Sequence, residues 1–175
     1  MPFPPDIVPV FETVWAVLTA AWPLPADAER ELRPLTRWLR SRGQTISGPD
    51  FSQALVAMRQ AAARALAALS PFDLVLTPTL ARPPVLVGEL RNDDDPAADF
   101  ESQKAFTPYT AAWNGTGMPA VSLPTGWSRS GLPSGTMLAA RPGQDHLLYA
   151  VAAQVEAAVE PGHAAGPARR WRRRL

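Results

Sequence analysis

A short and almost unbroken apolar run is the feature that most constrains the fold of this chain of 175 residues. Residues 72–77, Phe-Asp-Leu-Val-Leu-Thr, are rich in strand formers and directly follow Pro71. A run of this length without polar alternation is typical of a strand buried on both faces of a sheet. The segments before and after it have helical or strand periodicity of their own, so the sequence predicts a chain that combines helices with a sheet.

Three helices are predicted ahead of this strand. Apolar residues recur at helical spacing over residues 6–21 and again over residues 27–42, where Gly43 is the natural stop. The third helix begins at Ser47 and Asp50, whose S-x-x-D spacing predicts a reciprocal cap at a helix N-terminus. This helix continues until Pro71 ends it.

The second half of the chain is predicted to be richer in loops and strands. Residues 78–106 form a long polar connection that includes three consecutive aspartates at 93–95, and a short helix capped by Thr107 follows it. Residues 120–124 and 135–140 are predicted to pair as strands, and a last helix is expected over about 146–159. We therefore expect a domain over residues 1–159 and a frayed, Arg-rich tail over 160–175.

Composition excludes several classes of function. The chain has no cysteine and only two histidines, 17 residues apart, so neither a thiolate nucleophile nor a metal site is expected. Five of the 17 cations lie in residues 169–175, and the remainder carries a net charge of −4. A nucleic-acid surface is therefore not indicated. No apolar run approaches a membrane span and no signal peptide is evident, so a cytoplasmic protein without cofactor is expected.

Two short motifs resemble known functional motifs only in part. Gly-Trp-Ser-Arg-Ser at residues 126–130 lacks the final glycine of G-x-S-x-G and lies where a turn between two strands is expected. The tail at residues 169–174 places Trp171 among arginines, a pattern that either contacts RNA or acidic lipid or is simply solvated. Arginine-rich tails of this length are more often simply solvated. Because the serine motif is incomplete, no catalytic triad is predicted within the chain.

A glycine-rich stretch between a helix and a strand is the best candidate for contact with a ligand. Residues 113–119 are Trp-Asn-Gly-Thr-Gly-Met-Pro, which place small polar side chains beside glycines that allow close backbone approach. The same composition also suits a tight turn from helix to strand, so both interpretations stay open at this point.

The order of these segments resembles the C-terminal third of the amidase signature family. The matching motifs are Phe-Asp-Leu-Val-Leu-Thr-Pro-Thr at residues 72–79, Trp-Asn-Gly-Thr-Gly-Met-Pro-Ala-Val-Ser-Leu-Pro-Thr-Gly at 113–126, and Gly-Leu-Pro-Ser-Gly-Thr-Met-Leu-Ala-Ala-Arg-Pro at 131–142. The resemblance covers about residues 30–159, in order and at matching spacing. It implies an α/β fold, a partial amidase-signature fold with a mixed β-sheet flanked by helices.

The resemblance also implies which chemistry is missing. Members of the family hydrolyse amides with a Ser–cis-Ser–Lys triad in a Gly/Ser-rich region, supported by backbone N–H groups that stabilise the oxyanion. This sequence has no Gly-Gly-Ser-Ser stretch and no pair of adjacent serines, and its only lysine, Lys104, does not match the family's catalytic lysine. No catalytic residue can therefore be assigned to this chain by resemblance.

Supporting residues of a substrate cleft can be carried over. The resemblance places Trp113, Asn114, Thr116, Thr77 and Pro78 on the wall of the cleft. The expected function is that of a C-terminal part of an amidase-signature hydrolase, inactive alone, which acts on a small amide when a separate N-terminal half completes it. The alternative is a non-catalytic α/β binding or partner module. Self-association through the exposed sheet is a further expectation.

Overall fold

The computed structural model describes residues 7–25, 27–129 and 131–159. The Arg-rich tail expected over 160–175, with His163, and Ser130 of the near-match to G-x-S-x-G lie outside the described residues. The elements, in chain order, are helices α1 (Ile7–Ala21), α2 (Pro34–Thr45) and α3 (Gly48–Leu69), strand β1 (Leu74–Pro78), helices α4 (Pro96–Phe106) and α5 (Thr110–Thr116), strands β2 (Ala120–Trp127) and β3 (Pro133–Ala140), and helix α6 (Asp145–Ala158). A single 3-10 turn, Ala28–Glu31, separates α1 from α2.

The chain divides into two compact units. One comprises Met1–Ala67 with Val87–Ala105, and the other comprises Ala68–Leu86 with Phe106–Leu175. The first unit is helical and the second contains all three described strands. No helix among the described residues has both the length and the hydropathy needed to cross a membrane.

In the first unit, α2 packs on α1 through a glycine. The prediction that Gly43 ends the second helix is wrong, because α2 continues past it to Thr45. A β-carbon on Gly43 would stand 2.1 Å from the carbonyl oxygen of Ala16 and 2.8 Å from the β-carbon of Ala20. The glycine is therefore needed for close helix packing and not for termination.

A buried arginine fixes the turn between these helices. Arg40 of α2 donates from Nε to the carboxylate of Glu29, at 3.0 and 3.1 Å. Its Nη1 donates to the carbonyl oxygens of Thr19, at 2.6 Å, and Trp22, at 3.0 Å. The guanidinium thus satisfies carbonyl groups that the end of α1 leaves without an intrahelical partner.

Helix α4 lies within residues 78–106, where the sequence pattern predicts a polar connection. Asp95, from the run of three aspartates, accepts a hydrogen bond from the N–H of Ala98 at 3.0 Å and so caps the helix. Asp93, from the same run, pairs with Arg33. Phe100 of α4 is 2% exposed and packs its ring against those of Trp15 and Trp38, at centroid distances of 5.3 and 5.8 Å.

The predicted cap of α3 is confirmed in part. The N–H of Asp50 donates to the Ser47 hydroxyl oxygen at 3.2 Å, as a capping box requires. The Asp50 carboxylate, however, accepts from the Ser47 hydroxyl at 2.6 Å instead of from its backbone N–H. The two exposed side chains therefore hydrogen-bond to each other at the first turn of α3.

In the second unit, the three described strands form an antiparallel sheet in the order β1-β3-β2. Helix α6 packs on β2 and β3 over a small apolar core. That core consists of the buried residues Leu123, Leu138, Ala140, Leu148 and Ala152. The combination of helices and sheet confirms the expected α/β class, and the predicted pairing of the last two strands is confirmed.

Strand β1 is not buried on both faces. It lies at the edge of the sheet and pairs with β3 alone among the described residues. The side chain of Leu76 is 69% exposed, although it lies in register with the buried Leu138. Residues 72–77 thus have the composition of a strand inside a sheet, but β1 is an edge strand of the described sheet.

Candidate functional site

The glycine-rich stretch is mostly helical. Trp113, Asn114 and Thr116 belong to the last turns of α5, which is seven residues long. Gly117 follows in the left-handed conformation, with a φ of 69°, and ends the helix as a glycine commonly does. The interpretation of residues 113–119 as a loop is therefore wrong for its first four residues. Only Gly117 and the two residues after it connect α5 to β2.

Thr116 holds the end of this helix. Its side chain is buried, and its hydroxyl donates to the carbonyl oxygen of Ala112 at 2.9 Å. The same oxygen accepts from the N–H of Met118 at 3.4 Å. These bonds join the final turn to the connection that leads into β2. They assign Thr116 a structural role within the described residues.

Two residues of the expected wall carry buried polar atoms without a partner. Among the described residues, the atoms in this state are the indole nitrogen Nε1 of Trp113 and the hydroxyl Oγ1 of Thr77. Trp113 is only 4% exposed. A buried donor without an acceptor destabilises a fold by about 1–3 kcal/mol, so such groups are rare in folded proteins.

The remaining two wall residues are accessible. Asn114 is exposed on α5, and Pro78 is exposed at the end of β1. Thr77 itself is half-buried and lies in register with Met137 of β3. The structure thus gives the five residues different environments, with Trp113 and Thr116 buried and Asn114 and Pro78 exposed.

A row of hydroxyl groups lies on the face of the sheet opposite to α6. Thr77 and Ser122 both lie in register with Met137, one on each side of it, and side chains in such positions share a face. The hydroxyl oxygens of Thr79 and Ser122 are 2.6 Å apart. They meet over Gly135, where a β-carbon would stand 2.7 Å from Thr79 Oγ1 and 3.0 Å from Ser122 Oγ.

Sequence reasoning missed Thr79, Ser122 and Gly135 as members of this row. Part of the row can be seen in the sequence. Thr-Pro-Thr at residues 77–79 places two hydroxyl side chains two residues apart, and hence on one face of a strand. The pairing of Thr79 with Ser122 depends on the register of β1 and β2 on β3, which the sequence does not give.

Ser128, from the near-match to G-x-S-x-G, has a structural role. Ser128 closes the hairpin turn between β2 and β3, since its N–H donates to the carbonyl oxygen of Leu132 at 2.8 Å and its hydroxyl accepts from the N–H of Leu132 at 3.0 Å. This confirms the turn expected there.

Lys104 is bound between carboxylates. Its ammonium group pairs with Glu12 of α1 and with Glu101, the latter at 2.6 Å. Partial burial acts to lower the pKa of Lys104, but the hydrogen bonds and charges of Glu101 and Glu12 outweigh it and raise the pKa above the ordinary 10.5. A lysine held in its charged form is unsuited to accept a proton at neutral pH.

Comparison with known proteins identifies one family. The family model named Amidase matches residues 17–149. The 6-aminohexanoate-cyclic-dimer hydrolase of Paenarthrobacter ureafaciens is 38% identical over 96 residues, which make up 50% of this chain and 19% of that protein. The solved structure of a 6-aminohexanoate cyclic dimer hydrolase complexed with substrate matches 89% of this chain and 35% of its own, with a TM-score of 0.76 and 25% identity.

A second solved structure supports the fold. The crystal structure of an amidase matches 89% of this chain and 36% of its own with a TM-score of 0.72, at 19% identity. The chain spans about a fifth of the length of the curated relatives that it matches.

Proposed function

Because the chain belongs to the amidase family, we propose that it forms a non-catalytic wall of an amide-hydrolysing site whose Ser–cis-Ser–Lys residues are supplied by a separate catalytic portion. The sequence supports this division, since it has no adjacent serines and no Gly-Gly-Ser-Ser stretch. The ion-paired state of Lys104 further supports it. The chain alone is inactive on this proposal.

The two unpartnered polar atoms carry the proposal. Trp113 Nε1 can only donate, whereas Thr77 Oγ1 can donate or accept. An amide offers a carbonyl oxygen to the first kind of group and both a carbonyl and an N–H to the second. Groups that remain unpaired within this unit suit partners that come from outside it, either from the substrate or from backbone of the catalytic portion.

The substrate class on this proposal is a small amide. The cyclic dimer of 6-aminohexanoate is the first compound to test, because a hydrolase named for it is among the proteins similar to this chain. A simple aryl amide serves as a second compound, and it tests whether the site accepts amides that are not cyclic.

The experiment is complementation. The chain is co-expressed with the catalytic portion of the Paenarthrobacter hydrolase, and hydrolysis of both amides is compared with that of each part alone. We expect turnover only in the mixture. Turnover by this chain alone that a single serine substitution abolishes would contradict the proposal, as would a mixture no more active than the catalytic portion.

Paired variants test the role of the wall. Trp113→Phe and Thr77→Val each remove an unpartnered polar atom, and Tyr149→Phe on the exposed side of α6 is the control. Only Thr77→Val conserves the shape of the side chain, because phenylalanine is smaller than the buried indole of Trp113. In the complemented enzyme we expect a loss of about tenfold in kcat/KM for the first two and none for the control. The melting temperature of Thr77→Val should not fall, because its hydroxyl is unsatisfied in this chain. Trp113→Phe should lower the melting temperature, since it leaves a cavity at a side chain that is 4% exposed, so its kcat/KM is compared per folded molecule. Unchanged activity in both wall variants would exclude the assigned contacts.

A further inference from the structure

The face of the sheet that carries Thr77 also carries a bonded pair of hydroxyl groups. The side-chain oxygens of Thr79 and Ser122 are 2.6 Å apart, so one hydroxyl donates to the other. Two hydroxyl groups hold two hydrogens, and this bond uses one of them. The pair therefore keeps one O–H hydrogen to donate and oxygen lone pairs that can accept. Ser122 is exposed, so a ligand can reach the pair.

Strand pairing fixes the position of this pair relative to Thr77. Thr77 and Ser122 lie on opposite sides of Met137, each one strand spacing from it, so their backbones are about 10 Å apart. Gly135 has no side chain, and a β-carbon there would stand 2.7 Å from Thr79 Oγ1 and 3.0 Å from Ser122 Oγ. The two hydroxyl groups thus lie close to the backbone of β3, which holds the row in one geometry.

The elements that carry the hydroxyl row and the wall residues have no charged side chain. Strands β1, β2 and β3 and helix α5 contain neither an acidic nor a basic residue. The charged residues that directly adjoin β1 and β3 are Asp73 and Arg141, and they pair with each other at 3.4 Å. Arg82, three residues after Thr79, lies over the ring of Phe106 at 5.9 Å. The four described elements therefore offer hydrogen bonds to a ligand without a countercharge.

This lack of a countercharge determines which ligand groups suit the face. An ionised carboxylate or ammonium group loses far more hydration free energy on burial than a neutral amide does, and it needs an opposite charge to offset the loss. A neutral amide carries a carbonyl acceptor and N–H donors, which match the free hydrogen and the lone pairs of the hydroxyl pair. The face thus favours an uncharged polar group over an ionised one.

We propose that the Thr79–Ser122 pair binds the non-reacting end of the substrate and selects molecules in which that end is uncharged, such as a second amide, over those in which it is a carboxylate. This inference rests on the proposed function, which assigns Thr77 of the same row to the wall of the site. It names Thr79 and Ser122 as residues that determine specificity.

A linear diamide tests this selectivity within one reaction. Water cleaves one C–N bond of adipamide, which releases ammonia and leaves adipamate, a molecule with one carboxylate end and one amide end. A second cleavage requires that carboxylate to bind at the Thr79–Ser122 pair. We therefore expect the complemented enzyme to release one equivalent of ammonia from adipamide, and its kcat/KM for adipamate to be about a hundredfold lower than for adipamide.

Variants of Ser122 assign the selectivity to this face. Ser122→Ala removes one hydroxyl of the pair and should lower kcat/KM for adipamide about tenfold. Thr125→Val is its matched control, because the hydroxyl of Thr125 also lies 2.6 Å from another, that of Thr136, which is in register with Leu123 of the core under α6. Ser122→Arg places a countercharge at an exposed position and should raise kcat/KM for adipamate about tenfold, whereas Tyr149→Arg on α6 should not.

All rates are compared per folded molecule, with the melting temperature of each variant measured alongside. Hydrolysis of adipamide and adipamate at equal kcat/KM would overturn the inference and leave the proposed function intact. So would a preference for adipamide that neither Ser122→Ala nor Ser122→Arg changes, since the selectivity would then come from the catalytic portion. A mixture that hydrolyses no amide faster than the catalytic portion alone would overturn both proposals.

Discussion

Gly43 in α2 lies directly on the backbone of Ala16 in α1, so closely that a β-carbon on Gly43 would stand 2.1 Å from the Ala16 carbonyl oxygen. Ala16 is completely buried at this contact. The two nearest atoms belong to the backbone of another helix, so they cannot yield as a flexible side chain would. The packing of α1 on α2 thus depends on the absence of a single methyl group.

Gly43→Ala is therefore expected to destabilise the chain. Although alanine favours a helix by up to about 1 kcal/mol over glycine, the overlap with α1 should dominate and give a net loss of roughly 2–4 kcal/mol. Gly48→Ala at the start of α3 is the control, because nothing lies within 4 Å of its new β-carbon. Urea unfolding measures both variants. Equal stability of the two would contradict the packing described.

Lys104→Met should weaken the contact of α4 with α1. The substitution leaves the carboxylate of Glu12, whose side chain is 15% exposed, with Arg42 at 3.8 Å as its remaining ion pair. We expect a loss of about 1–2 kcal/mol in the free energy of unfolding, reduced when Glu12→Gln is added. Losses that simply add in the double variant would show that the pair contributes nothing.

The same ion pair predicts a pH dependence. The folded chain holds the pKa of Lys104 above 10.5, so the stability it contributes is fully present at lower pH and is lost as pH rises through the raised pKa. The difference in melting temperature between the wild type and Lys104→Met should stay constant from pH 7 to about 9.5 and decrease above 10.5. A difference that vanishes near pH 8 would contradict this assignment.

Thr116 and Asn114 are expected to separate stability from activity. Thr116→Val removes the hydroxyl that bonds Ala112 and Met118, so it should cost about 1 kcal/mol, and Thr116→Ser should retain most of the stability. Asn114→Ala changes an exposed side chain and should stay within about 0.5 kcal/mol of the wild type. If Asn114 contacts a substrate, its loss lowers the activity of the complemented enzyme at unchanged melting temperature. A lower melting temperature with full activity would exclude a wall role.

Gly135→Ala should disrupt the hydroxyl row. Its β-carbon would stand 2.7 Å from Thr79 Oγ1, so the contact between Thr79 and Ser122 has to open, with a loss of about 1–3 kcal/mol. Adding Thr79→Ala makes room for the methyl group and should recover part of the loss. Gly126→Ala on β2 meets only an ordinary contact of 3.8 Å with Ser134 and serves as the control. Calorimetric melting of the three variants checks this expectation.

Local signals in the sequence predicted the elements whose causes are local. The proline after α3 and the strand pair before α6 depend on neighbouring residues and are present, and the Ser47–Asp50 cap is present in one of its two predicted hydrogen bonds. The role of Gly43 could not be predicted from its neighbours in the sequence. A glycine looks the same there whether it ends a helix or allows a second helix to pack closely. The proximity of Ala16 decides between the two, and it is a tertiary property.

Helix α4 and the environments of the expected wall residues could not be predicted from the sequence, for related reasons. The sequence does not distinguish Asp95, which caps the helix, from the two aspartates before it. The helix itself has little apolar periodicity. The resemblance supplied the residues expected on the wall, but their environments depend on packing that no motif encodes. The pattern of residues 72–77 predicted a strand covered on both faces, whereas β1 lies at the edge of the described sheet, where Leu74 packs against the core under α6 and Leu76 is exposed.

The proline and the register shift of β2 also limit how copies of this chain can associate. Pro124 lacks a backbone N–H and the pairing of β2 with β3 shifts register between Pro124 and Gly126, so the outer edge of β1 is the more regular edge among the described strands. A contact through β1 of two molecules would be symmetric and would use up both of these edges. Endless ribbons require two open edges in every molecule. We therefore expect any association of isolated chains through their described strands to favour pairs over longer ribbons.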